Sequence, residues 1–515
     1  MDYRKKLAWL IAVSTLCRII IAWSLELGNT EAYYWVLSNR LQLNYFDHPP
    51  MVAWLIRLTT LNGALHHELF VRLGAIIAAG ICTWLIYRLG SVIHSARAGW
   101  FAAVLYTTSI YATMGAGIYI IPDSPQMIFW LASLIVLVKL MNGSTDGRKS
   151  REQWCLFGLL TGLCIMSKVH GAVIWAGALA YMLVYDRQKL KDPFVYVSLA
   201  ITLVIISPII IWNIDHNFAA YKYHSGRVDL TQGQIDPVGF VKMLVKVIIS
   251  TGPIHYVLIV IAVLLAFKGK LGLDQKAGRV LLLCNLPLVI LILVISLFRE
   301  TMSHWPGPPL SALLVLPAVW LAGRLEPAGG KLLPVLKIAV AYAIFMGAVE
   351  ALTINYLPGT TSVAQGMRIG ADDATVDMYG WKHAGETYDS VYRAVVAKHL
   401  IDARAPVIVT SWVPAAHVDY YITSRTGQET FALGNIDSLH QYYWLNDDKR
   451  HLRIGDDAWY VIPSNMFDYQ TFNKLTASFN SFAPDLMFSQ YRSGMVCKRF
   501  YIFRLIGYKG DRAFK

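Results

Sequence analysis

The chain has 515 residues, of which 56% are hydrophobic and only 15% charged. Soluble domains run nearer a quarter charged, so this composition excludes an ordinary soluble enzyme and points to a multi-pass membrane protein. The net charge of +13 would suit a nucleic-acid partner, but the basic residues gather in loops between apolar runs, as membrane topology requires.

Apolar runs follow Lys5-Lys6 and recur at roughly 7–27, 68–89, 97–117, 124–141, 153–167, 170–185, 194–213, 240–267, 278–298, 308–323 and 333–354. Several fall short of the ~20 residues a perpendicular helix needs. The stretch 153–185 reads as two spans, because Ser167-Lys168-Val169-His170-Gly171 interrupts it with polar and flexible residues. With about eleven spans, one side receives Arg4, Lys5 and Lys6, Arg88 and Arg97, the clusters from Lys139 to Arg151, Arg187 to Lys191 and Lys268 to Arg279, then Arg324 and Lys331. The opposite short loops hold few cations. The positive-inside rule then makes the first side cytoplasmic, with the N-terminus in and the C-terminus out. No small-residue cleavage site follows the first run, which reads as a retained helix. It carries Arg18. A cation at the centre of a span costs about 2.5–3.5 kcal/mol, so Arg18 calls for a partner such as Glu26 or a lipid phosphate.

The six cysteines (Cys17, Cys82, Cys155, Cys164, Cys284 and Cys497) are scattered, five of them in apolar runs. They read as small core residues and not as a disulfide framework. From about Leu357 the long apolar runs stop. Pro406–Thr410 and Trp459–Pro463 look like short buried strands, and Glu386–Ile401 has helical periodicity. The expected fold is therefore a polytopic α-helical membrane domain over 1–356, with loop helices at about 30–62, followed by an α/β domain on the outer side over 357–515.

The outward loops are rich in functional groups. Glu31 stands in Asn29-Thr30-Glu31-Ala32-Tyr33-Tyr34-Trp35, where it fits either a helix-capping carboxylate or a catalytic one beside the sugar-stacking faces of Tyr33 and Tyr34. Asp47-His48-Pro49-Pro50 is a turn stiffened by prolines that presents an acid and an imidazole together. Asp123, in Ile121-Pro122-Asp123-Ser124-Pro125, suits an N-cap at the mouth of a span. Lys168 and His170 form an outward cationic pair, read either as a snorkelling lysine or as a phosphate contact. Arg299 and the His304-Trp305-Pro306 cluster mark another outer mouth suited to donor phosphate. No P-loop, GxGxxG after a strand, HExxH or CxxC occurs, and no cytoplasmic loop can house a nucleotide-binding domain. An enzyme of this shape must draw its activated substrate from the membrane.

Glu31-Ala32-Tyr33-Tyr34-Trp35, Tyr45-Phe46-Asp47-His48-Pro49-Pro50, Pro122-Asp123-Ser124-Pro125, Ser167-Lys168, His304-Trp305-Pro306 and Asp377-Met378-Tyr379-Gly380-Trp381 resemble the bacterial relatives of protein O-mannosyltransferases. These belong to the GT-C superfamily of polyprenyl-phosphate-sugar-dependent transferases, whose kin include the lipid A aminoarabinose and galacturonic acid transferases. The resemblance implies inverting transfer of a sugar from undecaprenyl phosphate to an acceptor on the periplasmic side of the bacterial inner membrane: lipid A, another glycolipid or a protein. It implies a catalytic acid pair in the first loop, but Thr30 replaces the usual aspartate. The base then falls to Glu31 or Asp47, with Asp123 in support, or an already ionised acceptor needs none. His48, Lys168, Arg299 and His304 would contact the donor phosphate, and Tyr33, Tyr34, His170 and Trp305 the substrate. The acids lack ligand spacing, so no essential metal or other cofactor is expected. The rival functions are transport or flipping of a lipid-linked glycan, and O-antigen ligation or polymerisation. Transport does not call for an outer domain of this size beside a stiffened acidic loop, and the sequence shows no paired broken helices in repeated halves.

Overall fold

An apolar run in lipid must satisfy every backbone N–H and C=O internally, and the helix is the local solution. The computed structural model describes residues 2–143, 147–229, 234–324, 333–447 and 452–510. Lys331 and residues 230–233 lie outside the described residues.

In chain order the helices are α1 (Tyr3–Ser24), α2 (Asn29–Ser38), α3 (Met51–Thr59), α4 (Glu68–Ile93) and α5 (Ala96–Thr108), the last followed by a π-turn at Tyr111–Gly115. Then come α6 (Asp123–Asn142), α7 (Arg148–Ser167), α8 (Ala172–Tyr185), α9 (Pro193–Asp215), α10 (Ala219–Val228), α11 (Pro237–Thr251) and α12 (Pro253–Phe267). After them run α13 (Gln275–Ile295), α14 (Gly307–Leu313), α15 (Val315–Arg324), α16 (Pro334–Tyr356), α17 (Trp381–Ala397) and α18 (Trp412–Val418). Starts follow local chemistry. Asp192 and Asp236 accept backbone N–H groups ahead of Pro193 and Pro237, and Asp274 caps α13 in the same way.

Contacts divide the chain into two compact units. The first comprises Met1–Ala22, Leu41–Leu61 and Leu69–Gly347. Small residues set its closest helix approach. A Cβ on Gly158 of α7 would stand 2.3 Å from the Ser198 carbonyl oxygen of α9, and one on Gly162 would stand 2.9 Å from Ile205. Between those glycines Thr161 and Thr202 share a hydrogen bond at 3.1 Å. Among the described residues six helices are long and apolar enough to cross a membrane, or seven with a bent pair counted as one. The eleven-span reading also counts shorter helices such as α5 and α8. The run 240–267, expected to be continuous, is broken. α11 and α12 meet at 100° around Gly252, whose φ is +99°, and Pro253. Proline has no N–H to continue the ladder, and only glycine adopts that φ without strain.

The second unit comprises Trp23–Arg40, Asn62–Glu68 and Ala348–Lys515. Its sheet has the order β2-β1-β3-β5-β4, with β1 (Val407–Val409), β2 (Thr430–Ala432), β3 (Ala458–Pro463), β4 (Phe479–Arg492) and β5 (Met495–Tyr508). β1 pairs in parallel with β2 and β3, while β5 pairs antiparallel with β3 and β4. The expected apolar strands are β1 and β3. Both are buried throughout, as strands covered on two faces must be. The expected helix is α17, beginning five residues earlier than the periodicity suggested, at Trp381. β4 and β5 were not anticipated. They join through Ser493-Gly494, both at positive φ (47° and 81°), the backbone of a tight two-residue hairpin turn. β4 is an edge strand broken by register shifts at Pro484/Leu486 and Gln490/Tyr491, features that blunt edge-to-edge association.

Candidate active site

The chemistry of the first unit converges on Asp123 and Lys168. Lys168 ends α7 in an extended conformation before the short turn Val169–Gly171. Gln126 on the first turn of α6 donates to its carbonyl at 3.0 Å. Lys168 Nζ donates to Asp123 Oδ2 at 2.8 Å, with both side chains at most 3% exposed. The second carboxylate oxygen, Oδ1, accepts the Tyr111 hydroxyl at 2.7 Å. Asp123 is therefore not an N-cap: Pro122 occupies that position without a side-chain bond, and the carboxylate is used by Lys168 and Tyr111. Nor does Lys168 snorkel, since it is buried.

Around this pair stand three histidines. His170 meets Trp305 edge-on, 6.0 Å between ring centres. His48 lies 6.2 Å from the ring of His224, whose Nε2 donates to the Asp47 carbonyl at 2.8 Å. Burial holds the His48 imidazole down to about 3, helped by the Lys168 and His224 charges and opposed by Asp47 and Asp123. Burial likewise lowers His304 to about 4, with Lys168 and Arg227 adding to the effect and Asp123 opposing it. Both rings are neutral near pH 7 and present one N–H donor and one acceptor each. Arg227 lies over the rings of Tyr223 and Trp305 at 5.4 and 5.8 Å. A compact mouth thus holds one buried ion pair, one arginine and several neutral imidazoles. Sequence reasoning brought Asp47, His48, Asp123, Lys168, His170, His304 and Trp305 to this unit but missed Tyr111, His224 and Arg227. Arg299, expected beside them, has its Nε on the Asp229 carbonyl at 3.0 Å.

Glu31, Tyr33 and Tyr34 belong to the second unit, where α2 packs on α18. Glu31 Oε2 accepts the Gly28 N–H at 2.9 Å, so the capping function foreseen for it exists. The Tyr33 hydroxyl accepts from Gln441 N at 3.0 Å, and its ring lies 5.0 Å from Trp412. Tyr34 is buried. The start of α2 is pinned by Asn29, whose Nδ2 donates to Asp377 Oδ2 at 3.1 Å. Asn465 donates to the other Asp377 oxygen at 2.8 Å. Because that bond fixes the Asn29 amide, its Oδ1 faces His417 Nε2 at 2.9 Å and accepts from it. Burial and the Lys498 charge keep His417 neutral. Among the described residues no group of three or more His, Cys, Asp or Glu is placed to hold a metal ion.

Residues 47–212 match a family model described as dolichyl-phosphate-mannose-protein mannosyltransferase, a range that includes Asp47, His48, Tyr111, Asp123, Lys168 and His170. The lipid A galacturonosyltransferase RgtD of Rhizobium johnstonii is 23% identical over 73% of this chain and 79% of its own length. An undecaprenyl phosphate-α-4-amino-4-deoxy-L-arabinose arabinosyl transferase of Serratia proteamaculans is 25% identical, but the match spans 33% of this chain and 31% of that protein. Crystal structures of ArnT from Cupriavidus metallidurans share the fold. The apo form covers all of both chains at a TM-score of 0.66 and 12% identity. The form bound to undecaprenyl phosphate covers 97% of this chain and 98% of that one, at 0.65 and 13%. Likeness at this level of identity establishes a common architecture.

Proposed function

We propose that this chain, a multi-pass glycosyltransferase of the GT-C type related to the lipid A-modifying transferases, moves one sugar with inversion from undecaprenyl phosphate to a periplasmic acceptor, lipid A foremost. The reading places the N-terminus in the cytoplasm and the α/β unit in the periplasm of the bacterial inner membrane, with no essential metal or other cofactor. The observation that carries it is the buried Asp123–Lys168 pair set among neutral histidines.

In such a transfer the acceptor oxygen attacks the anomeric carbon from the face opposite the phosphate. The carbon–oxygen bond to phosphate breaks, and undecaprenyl phosphate leaves with the bonding electrons and one more negative charge than the phosphodiester carried. Lysine has three N–H donors. Asp123 takes one and aims the other two, which suits Lys168 to the oxyanion that develops. A preset donor costs no reorganisation at the moment of bond cleavage. His48, His170 and His304 add uncharged N–H donors, and Trp305, held between Arg227 and His170, offers a ring face to the sugar. Of the two carboxylates expected to act as base, we assign Asp47: it is only partly buried and adjoins His48. It takes the acceptor hydroxyl proton, a step that an ionised acceptor group would omit.

The test uses purified protein with radiolabelled undecaprenyl-phosphate sugars and lipid A. Transfer that falls on the order of a hundredfold in Lys168→Met supports the reading. If no sugar reaches any acceptor while labelled lipid crosses liposome bilayers, the transferase reading fails and transport replaces it.

A further inference from the structure

Arg18 lies within α1 and is 1% exposed, yet among the described residues no carboxylate forms an ion pair with it. Glu26, the acid nearest in sequence, binds the backbone N–H groups of Trp381 and Lys382. The guanidinium has instead Nη1 on Ser14 Oγ at 3.0 Å and Nε on the Thr113 carbonyl at 3.4 Å. Its Nη2 is buried without a hydrogen-bond partner among the described residues. Thr113 is the centre of the π-turn Tyr111–Gly115, where the helix is wound one residue wider. Such turns shift side chains out of the normal helical register and are frequent at functional sites.

Two glycines show how tightly this turn is gripped. A Cβ on Gly117 would stand 2.3 Å from the Ala112 carbonyl oxygen, 2.7 Å from that of Thr113 and 3.1 Å from Arg18 Nε. A Cβ on Gly307, directly after His304-Trp305-Pro306, would stand 2.2 Å from the Tyr111 ring. The turn therefore has carbonyls gathered at Arg18 and its tyrosine wedged against Gly307, with the hydroxyl on Asp123.

We propose that Arg18 is a positioning residue for the transfer site, acting through the π-turn and Tyr111 to orient the Asp123 carboxylate and hence Lys168. The cation neutralises the carbonyl dipoles that the widened turn brings together. Without it the turn relaxes toward regular helix, and Tyr111 rotates away from Asp123. A merely structural arginine in a span would be replaceable by an apolar side chain of equal length, whereas this one is held by its charge to the backbone that carries Tyr111. The inference rests on the transferase reading above.

The experiment measures kcat, the donor KM, melting temperature and undecaprenyl phosphate binding for Arg18→Met, Arg18→Lys, Tyr111→Phe and the Arg18→Met/Tyr111→Phe pair. The expected result is a kcat lowered on the order of tenfold to a hundredfold in Arg18→Met, as for other displaced catalytic groups. Donor KM stays within about twofold, Arg18→Lys recovers part of the loss, and the pair is no slower than Tyr111→Phe alone, since both act on one path. Unchanged kcat in Arg18→Met, or losses that multiply in the pair, overturn the proposal. Should Arg18→Met not fold, Gly117→Ala, which pushes the same carbonyls, must lower kcat in the same non-multiplying way with Tyr111→Phe. A Tyr111→Phe variant as active as the parent sinks the site reading itself. An impaired Tyr111→Phe beside a fully active Arg18→Met sinks only this proposal.

Discussion

The Glu26 carboxylate caps a helix that begins 355 residues later in the chain: the Trp381 N–H donates to Glu26 Oε2 at 2.7 Å, and the Lys382 N–H to Oε1 at 3.2 Å. Gly380, the residue in the cap position of α17, has no side chain to do so. Glu26→Ala should therefore lower the stability of the second unit by roughly 1.5–3 kcal/mol, the range for hydrogen bonds to a charged acceptor. Hydrogen exchange at the first α17 amides checks this. Protection that is unchanged there would show that water substitutes for the cap.

Lys168→Met leaves Asp123 buried with a single hydroxyl partner. Removing one member of a buried pair costs roughly 3–5 kcal/mol, so a marked fall in melting temperature is expected. Adding Asp123→Asn removes the orphaned charge and should restore most of that stability without restoring transfer. Recovery of both properties in the double variant would reduce the pair to a structural element.

His48 and His304, with ordinary values of 6.5, are held down to about 3 and about 4 in the folded protein. Between roughly pH 4 and pH 6.5 the unfolded chain then binds more protons than the folded one, so stability rises with pH across that window and is lost as the medium is acidified. Melting curves at about pH 5 and about pH 7 test the sign, and His48→Asn with His304→Asn should flatten the dependence. A protein more stable at the lower value would contradict the neutral assignment.

Gly307→Ala drives a methyl group into the Tyr111 ring, 2.2 Å away. Overpacking of this kind typically costs about 1–3 kcal/mol. Here the displaced ring carries the hydroxyl that holds Asp123, so transfer should fall more steeply than melting temperature. Comparing the two losses with those of Gly323→Ala, whose Cβ would meet no described residue within 4 Å, separates general strain from a local effect.

For the carboxylates, Asp47→Asn is expected to abolish most transfer to a neutral hydroxyl acceptor and to spare stability. Glu31→Gln is expected to be felt mainly as a weaker start to α2, because Glu31 receives the Gly28 N–H. Steady-state rates beside melting temperatures decide. If Glu31→Gln is the slower enzyme of the two at equal stability, the base assignment passes to Glu31.

Much of this was legible in the chain because lipid imposes a simple code: apolar runs, caps and basic loops read directly as helices and their ends. Asp123, Lys168 and the histidines stood out because polar residues at helix mouths need a reason. Tyr111 did not, since a tyrosine in the run 97–117 looks like one more membrane residue until the π-turn rotates it inward. The closest hint was Gly115-Ala116-Gly117, small residues that announce close backbone approach. Gly252-Pro253 likewise contained the break between α11 and α12, but the apolar residues around it outweighed two helix breakers. The β4–β5 hairpin was hidden because Pro484 and two register shifts spoil the alternation by which strands are recognised. Arg299 was legible as a cation of its loop, but its Nε bond to the Asp229 carbonyl depends on a fold partner that spacing does not reveal.

The second compact unit is assembled from three stretches, Trp23–Arg40, Asn62–Glu68 and Ala348–Lys515. Its last stretch is therefore no cassette. A chimera that exchanged only the C-terminal third between relatives would strand Asn29 without Asp377 and Glu26 without the α17 amides. Recombination between distant relatives of this protein has to carry two short N-terminal pieces along with the far end of the gene, so the ends of the chain are expected to be inherited together and to diverge in step.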